Sequence, residues 1–326
     1  MAVEGKVWEF VKYQESKRYK MHEIIIPENS SSNCYDSVVY SLLKYFNFEY
    51  EAYNIKYFST DYFCTTKNGI YRDTSINNNI LKDIFGIDLQ YISSENTHDL
   101  FDVICTLLSD IPVGICIDSY YCHWSPFYNK AHSPHLILIV DIDYSNKKYI
   151  CFDVHFNTVG YVKVDFDIIS EYSEYYMTYH LKESTSIKLD LMLNSVRNVV
   201  YNFDVHIDSK KTQIINYIIN NDVKFLFSKN IITSSLLINL LWIFEDKRNF
   251  SIALRYIENK VKRNLFSSVY ELLSVSEKNF MLLKSILLKY AISGVLREEK
   301  LCDIVNQIFD IDALTVEKLR SVLKEI

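Results

Sequence analysis

Three side chains of reactive type stand where the surrounding sequence can aim them at one another: Cys34, His135 and Asp153. Cys34 follows the tract Ser30-Ser31-Ser32-Asn33 and precedes a run with apolar residues at 39, 42, 43 and 46, the spacing of one helix face. The run predicts a helix beginning at Cys34, capped by a short polar side chain that satisfies an orphan backbone N–H. A thiol there lies at the positive end of the helix dipole, which favours the thiolate, the nucleophilic form. His135 opens the apolar run 135–140, and Asp153 closes the run 149–153. The turn-like tract Asp143-Tyr144-Ser145-Asn146-Lys147 separates them, so a hairpin would bring His135 near Asp153. Acyl chemistry on cysteine uses these three types. The thiolate attacks, the imidazole pairs with it and later protonates a leaving group, and the carboxylate fixes the imidazole tautomer.

The elements that must position these residues show as changes of period. Residues 22–26 read as a strand ending at Pro27, and 49–64 as a helix of aromatic and mixed pattern, followed by a turn at Lys67-Asn68-Gly69. Residues 80–84 and 100–108 are helical in pattern, with a short strand at 89–92 between them. Pro112 to Asp118 is a continuous apolar strand, and Ser119 to Ser133 an aromatic-rich loop. The runs 135–140, 149–153 and 161–164 form an antiparallel meander, to which 175–181 adds a further strand. Past Lys188 the chain has one glycine and no proline. Apolar residues recur there at helical spacing, for example at 280, 283, 286, 287 and 290, and at 301, 304, 305, 308 and 309. Five to seven helices without a fixed repeat length are expected. The tract Glu183-Ser184-Thr185-Ser186 marks the boundary, giving one domain over 1–187 and a helical one over 188–326.

Composition excludes several classes. The formal charge of −6, with no basic block, argues against a nucleic-acid partner. The longest apolar run, about 236–244, is far short of the ~20 residues of a membrane span, so no membrane association is expected. Met1 to Lys6 lacks the plan of a signal peptide. Seven scattered cysteines without a Cys-x-x-Cys pair indicate neither a disulfide framework nor structural zinc, and a reducing cytoplasm is the expected location. His123, His132, His135 and His155 with Asp153 fit no common zinc spacing, so no metal is expected. Cys116, Cys122 and Cys151 fall in or beside strands and are expected to be buried and inert.

Cysteine at a helix start, then His and Asp on neighbouring strands, is the order found in papain-like and bacteriocin-processing peptidases. The segments Pro112 to Tyr121, Tyr128, His135 to Asp143 and Tyr149 to Asp153 carry a closer resemblance. Over about residues 22–182 the chain resembles the N-terminal domain of the BtrH family of butirosin biosynthesis, and it is also similar to closthioamide-type transpeptidases. The resemblance implies an α+β, papain-like cysteine-peptidase fold; the helical region follows it. It implies an acyltransferase with Cys34 as acyl acceptor, His135 as base and Asp153 as orienter. The donor would be an acyl or peptidyl chain on the phosphopantetheine arm of a carrier protein, and the acceptor a small amine, with no bound cofactor.

Glu28 stands where many papain-like enzymes place a glutamine in the oxyanion hole, and its carboxylate would repel an oxyanion. Asn29 or Asn33, with the backbone N–H of Cys34, are the candidate donors instead. Asp118 is either a structural carboxylate or an amine contact. Tyr120, Tyr121, Trp124, Phe127 and Tyr128 either line an acyl channel or pack under their loop. Two other functions remain open on the same residues: a cysteine peptidase or amidase, and a non-catalytic module that binds a carrier protein. The helical region is open to three roles, docking the carrier, forming a homodimer or completing the core.

Overall fold

The computed structural model describes residues 33–58, 64–66, 69–71, 75–96, 99–154, 160–182, 187–202, 207–221, 226 and 235–326. The expected strand 22–26, Glu28, Asn29, the turn residues 67–68 and His155 lie outside these residues. The described elements begin with α1 (Cys34–Tyr45), a 3-10 run (Tyr50–Phe58), β1 (Cys64–Thr66), β2 (Gly69–Tyr71), α2 (Ser75–Phe85), β3 (Ile87–Ser93) and α3 (Leu100–Leu108). Next come β4 (Val113–Asp118), β5 (Pro134–Asp143), β6 (Lys148–Asp153), β7 (Gly160–Asp165), α4 (Phe166–Tyr172) and β8 (Ser173–Leu181). The remainder is helical: α5 (Leu189–Asn202), α6 (Ile207–Ile219), α7 (Ser235–Val261), α8 (Ser267–Ser293) and α9 (Glu298–Leu323). The fold class is α+β. Among the described residues no helix is long and apolar enough to cross a membrane.

Two compact units are formed, Met1–Tyr50 with Ile87–Ser184, and Glu51–Gly86 with Thr185–Ile326. The division at 187/188 read from the sequence did not anticipate that Glu51–Gly86 groups with the C-terminal helices. The physical reason is packing: β1 lies against α6, β2 against α7 and α2 against α5. The single helix expected over 49–64 is instead a 3-10 run followed by β1. Residues 52–56 are buried without interruption, which leaves no polar face and hence no 3.6-residue period to read.

In the first unit the six strands form one antiparallel sheet in the order β3-β8-β4-β5-β6-β7. The consecutive strands β5, β6 and β7 are the expected meander, and β4 pairs with β5 ahead of it. β8 does not extend it: after α4, a helix with no counterpart in the sequence reading, the chain returns to pair with β3 and β4. Ile115, Ile117, Ile137 and Ile139 are fully buried in the cluster that α3 contributes to through Leu100, Ile104 and Leu108. Leu136 and Phe152 alternate to the other face, where they meet Ser37, Val38 and Ser41 of α1. The two serines let the helix approach closely, and their hydroxyls are satisfied within it, Ser41 donating to the Ser37 carbonyl at 2.8 Å and Ser37 to that of Asn33 at 3.0 Å.

The second unit is dominated by the last three helices, with α8 packing on both α7 and α9. Their core joins Phe280, Leu283 and Leu287 to Leu301, Ile304 and Ile308. The Glu258 carboxylate caps the start of α8, accepting from the N–H groups of Leu265 and Phe266 and from the Tyr270 hydroxyl. A buried polar group crosses the helices: Lys247 Nζ donates to Asp312 Oδ2 at 2.7 Å, and Ser276 Oγ to Asp312 Oδ1 at 3.0 Å.

Candidate active site

Asn33 sets where α1 begins. Its backbone is extended (φ −67°, ψ 169°), and its side-chain oxygen accepts from the Asp36 N–H at 2.8 Å. Its amide donates to the Asp36 carboxylate at 2.9 Å, so this oxyanion candidate is engaged as a helix cap and keeps one amide hydrogen. Cys34 is thereby the first helical residue, half-buried. The stripe Val38, Val39, Leu42 and Leu43 anchors the helix in the core. Asn47, at φ 61°, ends it in the left-handed conformation, and the Phe48 N–H donates to the Leu43 carbonyl at 2.8 Å.

His135 and Asp153 reach the same end of the sheet because β5 starts where antiparallel β6 finishes. Their side-chain phase depends on a bulge. Near the hairpin turn Asp143 pairs with Lys148 and Asp141 with Ile150, whereas beyond Val140 Ile139 pairs with Cys151 and Leu138 with Phe152. Continued along the strands, the second register sets Asp153 opposite Ile137, two residues from His135 and on its face. Without the extra residue Asp153 would fall opposite Leu138, and its side chain would leave by the other face. The result is a bond of 2.6 Å between His135 Nε2 and Asp153 Oδ2, with the two residues 1% and 3% exposed. The indole N–H of Trp124 donates to the same oxygen at 2.6 Å.

With Nε2 committed to Asp153, Nδ1 is the ring nitrogen left for Cys34, whose side chain hydrogen bonds to the imidazole. Burial by itself lowers the His135 pKa. The hydrogen bonds and charges of Asp153 and Cys34 outweigh it and raise the value from 6.5 to about 9. The site thus favours an imidazolium between a carboxylate and a sulfur. The other sheet thiols differ. Burial, helped by the charge of Glu174, pushes Cys116 up to about 12, and burial also raises Cys122 and Cys151.

On the β3–β8 flank of the thiol, sequence reasoning read Cys116 as a buried thiol and singled out none of Tyr35, Tyr91 and Tyr175. Cys116 and Tyr175 face each other across β4 and β8 close to Cys34, and burial raises the pKa of both. Tyr91 meets Tyr175 edge-on at 5.6 Å, and its hydroxyl donates to that of Tyr35 at 2.9 Å. Tyr35 is the chain neighbour of Cys34, yet its partner Tyr91 lies 56 residues away, so no local pattern marks the pair.

The loop after β4 is organised by Asp118. Its Oδ1 accepts from the N–H groups of Tyr120 (3.0 Å) and Ser133 (3.2 Å), and its Oδ2 pairs with His132 Nδ1 at 2.5 Å. Partial burial works against the carboxylate, but these partners more than offset it and hold Asp118 below the usual carboxylate range. Tyr120 stacks on His132 with centroids 4.4 Å apart, and Tyr121 on Tyr172 at 3.6 Å. Trp124 is turned to Asp153, whereas Tyr128 is exposed. Among the described residues, no group of three or more His, Cys, Asp or Glu side chains is placed to hold a metal ion.

No protein-family model matches the chain, and no curated protein matches it. Chemically, the arrangement presents a thiol, an imidazole that can accept and return a proton, and a buried carboxylate bonded to that imidazole and to the Trp124 indole.

Proposed function

We propose that the chain is a papain-like cysteine acyltransferase that moves an acyl or peptidyl group from a carrier-protein thioester to a small amine. The observation that carries this reading is the hydrogen-bonded line Cys34–His135–Asp153, built from a helix start and two neighbouring strand ends. In the first half-reaction Cys34 gives its proton to His135, and its sulfur attacks the thioester carbonyl. Collapse of the tetrahedral intermediate breaks the bond to the pantetheine sulfur, which leaves with the proton from His135, and acyl-Cys34 remains. In the second, the amine attacks that carbonyl and passes a proton to His135. The Cys34 sulfur is expelled and the amide is released. The exchange of one thioester for another is close to balanced, whereas thioester to amide runs downhill. The Cys34 backbone N–H and the remaining amide hydrogen of Asn33 are the candidate oxyanion donors.

The resemblance over residues 22–182 supports the choice of carrier-bound donor and amine acceptor. The mechanism needs a reduced thiol, which fits a reducing compartment such as the cytoplasm. Intact-protein mass spectrometry tests the reading, using an acyl-pantetheine thioester with wild type and Cys34→Ala. The expected result is one acyl adduct on wild type alone, discharged by an added amine as the amide. Discharge by water at the same rate without amine would shift the reading to an amidase. No adduct with any thioester would overturn the covalent mechanism.

A further inference from the structure

At the junction of α8 and α9 the second unit exposes the apolar side chains of Ile292, Val295 and Leu282, at 79%, 67% and 52%. With Ile286 and Ile304 they line a groove of about 750 Å³. Soluble surfaces seldom leave such a concentration uncovered without use for it. The rim is cationic: Lys289, Arg297 and Lys300 border the groove, against Asp303 as its carboxylate. Between Glu277 on one side and Glu298 and Glu299 on the other, residues 278–297 hold Lys278, Lys284, Lys289 and Arg297 and no carboxylate, in a chain of net charge −6. The local charge therefore runs against the bias of the chain, and its complement is negative.

We propose that this groove docks an amphipathic helix of a separate protein, an apolar stripe flanked by carboxylates. Along α8 the groove runs from Leu282 to Ser293, roughly 17 Å or three turns, the length over which such a helix lays down successive apolar side chains. A lipid surface is met by a protruding amphipathic face rather than by a concavity. A second copy in a two-fold contact would bring Lys289, Arg297 and Lys300 against their own equivalents, a like-charge penalty. The inference stands independently of the chemistry at Cys34.

The test is fluorescence anisotropy with the full chain. The probe is a labelled 16-residue helical peptide carrying leucine at every third or fourth position and glutamate on both flanks. Its counterpart carries lysine in place of glutamate. The acidic peptide is expected to bind saturably and to weaken as salt rises. The triple variant Lys289→Glu, Arg297→Glu, Lys300→Glu should weaken it more than tenfold, as should Ile292→Ser. All four side chains are exposed, and unchanged thermal unfolding of both variants will show that they fold. The proposal is overturned by no saturable binding, by equal binding of the lysine counterpart, or by affinities that neither variant changes. Retention on phosphatidylglycerol vesicles, or a dimer in sedimentation, would also overturn it if Ile292→Ser abolished either.

Discussion

Asp153→Asn removes a charge but keeps an oxygen that can still accept from Trp124 and His135. In wild type, His135 is raised from 6.5 to about 9 although its burial pulls the other way. At about 1.4 kcal/mol per pH unit, that rise corresponds to ~3 kcal/mol of preference for the imidazolium in the folded protein. Both partners are buried, so salt and solvent screen little of it. The sign follows from the direction. A histidine whose folded pKa is raised contributes stability that is complete below its ordinary value and is lost as pH climbs through the folded one. Asp153 supplies the first of the raising contacts and Cys34 the rest, so wild type should exceed Asp153→Asn by an amount on the order of that ~3 kcal/mol near pH 6, with the gap closing as pH rises to about 9. Urea unfolding at half-unit pH steps reads the gap. Titration of the His135 ring protons by NMR, assigned with His135→Gln, reads the pKa directly and should place it well below the wild-type value in the variant, where burial remains and Cys34 alone opposes it. A His135 that still titrates near 9 in Asp153→Asn, or a stability gap that does not change with pH, would refute the assignment of Asp153 as its charged partner.

Two further expectations follow from single contacts. Trp124→Phe keeps the ring but deletes the N–H that serves a buried carboxylate, so it should destabilise by about 1–3 kcal/mol in urea unfolding. It should slow acylation of Cys34 without abolishing it, since His135 still orients on Asp153; an unchanged acylation rate would make Trp124 a packing residue alone. In the helical unit, Lys247→Met should cost about 3–5 kcal/mol, because Asp312 is left buried with Ser276 as its partner among the described residues. Lys247→Met combined with Asp312→Leu should recover part of that loss, and a double variant no more stable than the single one would show that packing, not charge, set the cost.

How much of this was legible beforehand depends on the range of the interactions. α1 could be read because its start is local: a cap residue, its acceptor bond three residues on, and an apolar stripe within four turns. β4, β5, β6 and β7 could be read for the same reason, each being a short apolar run bounded by turn residues. The C-terminal helices announced themselves by periodicity in a stretch almost free of glycine and proline. Cys34, His135 and Asp153 were legible as a set because a short hairpin joins two of them and a helix start marks the third.

The remainder lay in pairings that span the chain. The placement of β8 between β3 and β4 joins residues about as far apart as Ile87 and Leu181, and no local pattern encodes that choice. The grouping of Glu51–Gly86 with the second unit is likewise a matter of which apolar faces meet. Trp124 shows the difference in one residue: in sequence it is an aromatic in an aromatic loop, and only the fold gives its N–H to Asp153. The bulge at Val140 is the clearest case. Sequence alone determined that a histidine and an aspartate would stand on adjacent strands at one end of a sheet. Because side chains alternate faces at every residue, only the register of the folded hairpin decided that they point the same way.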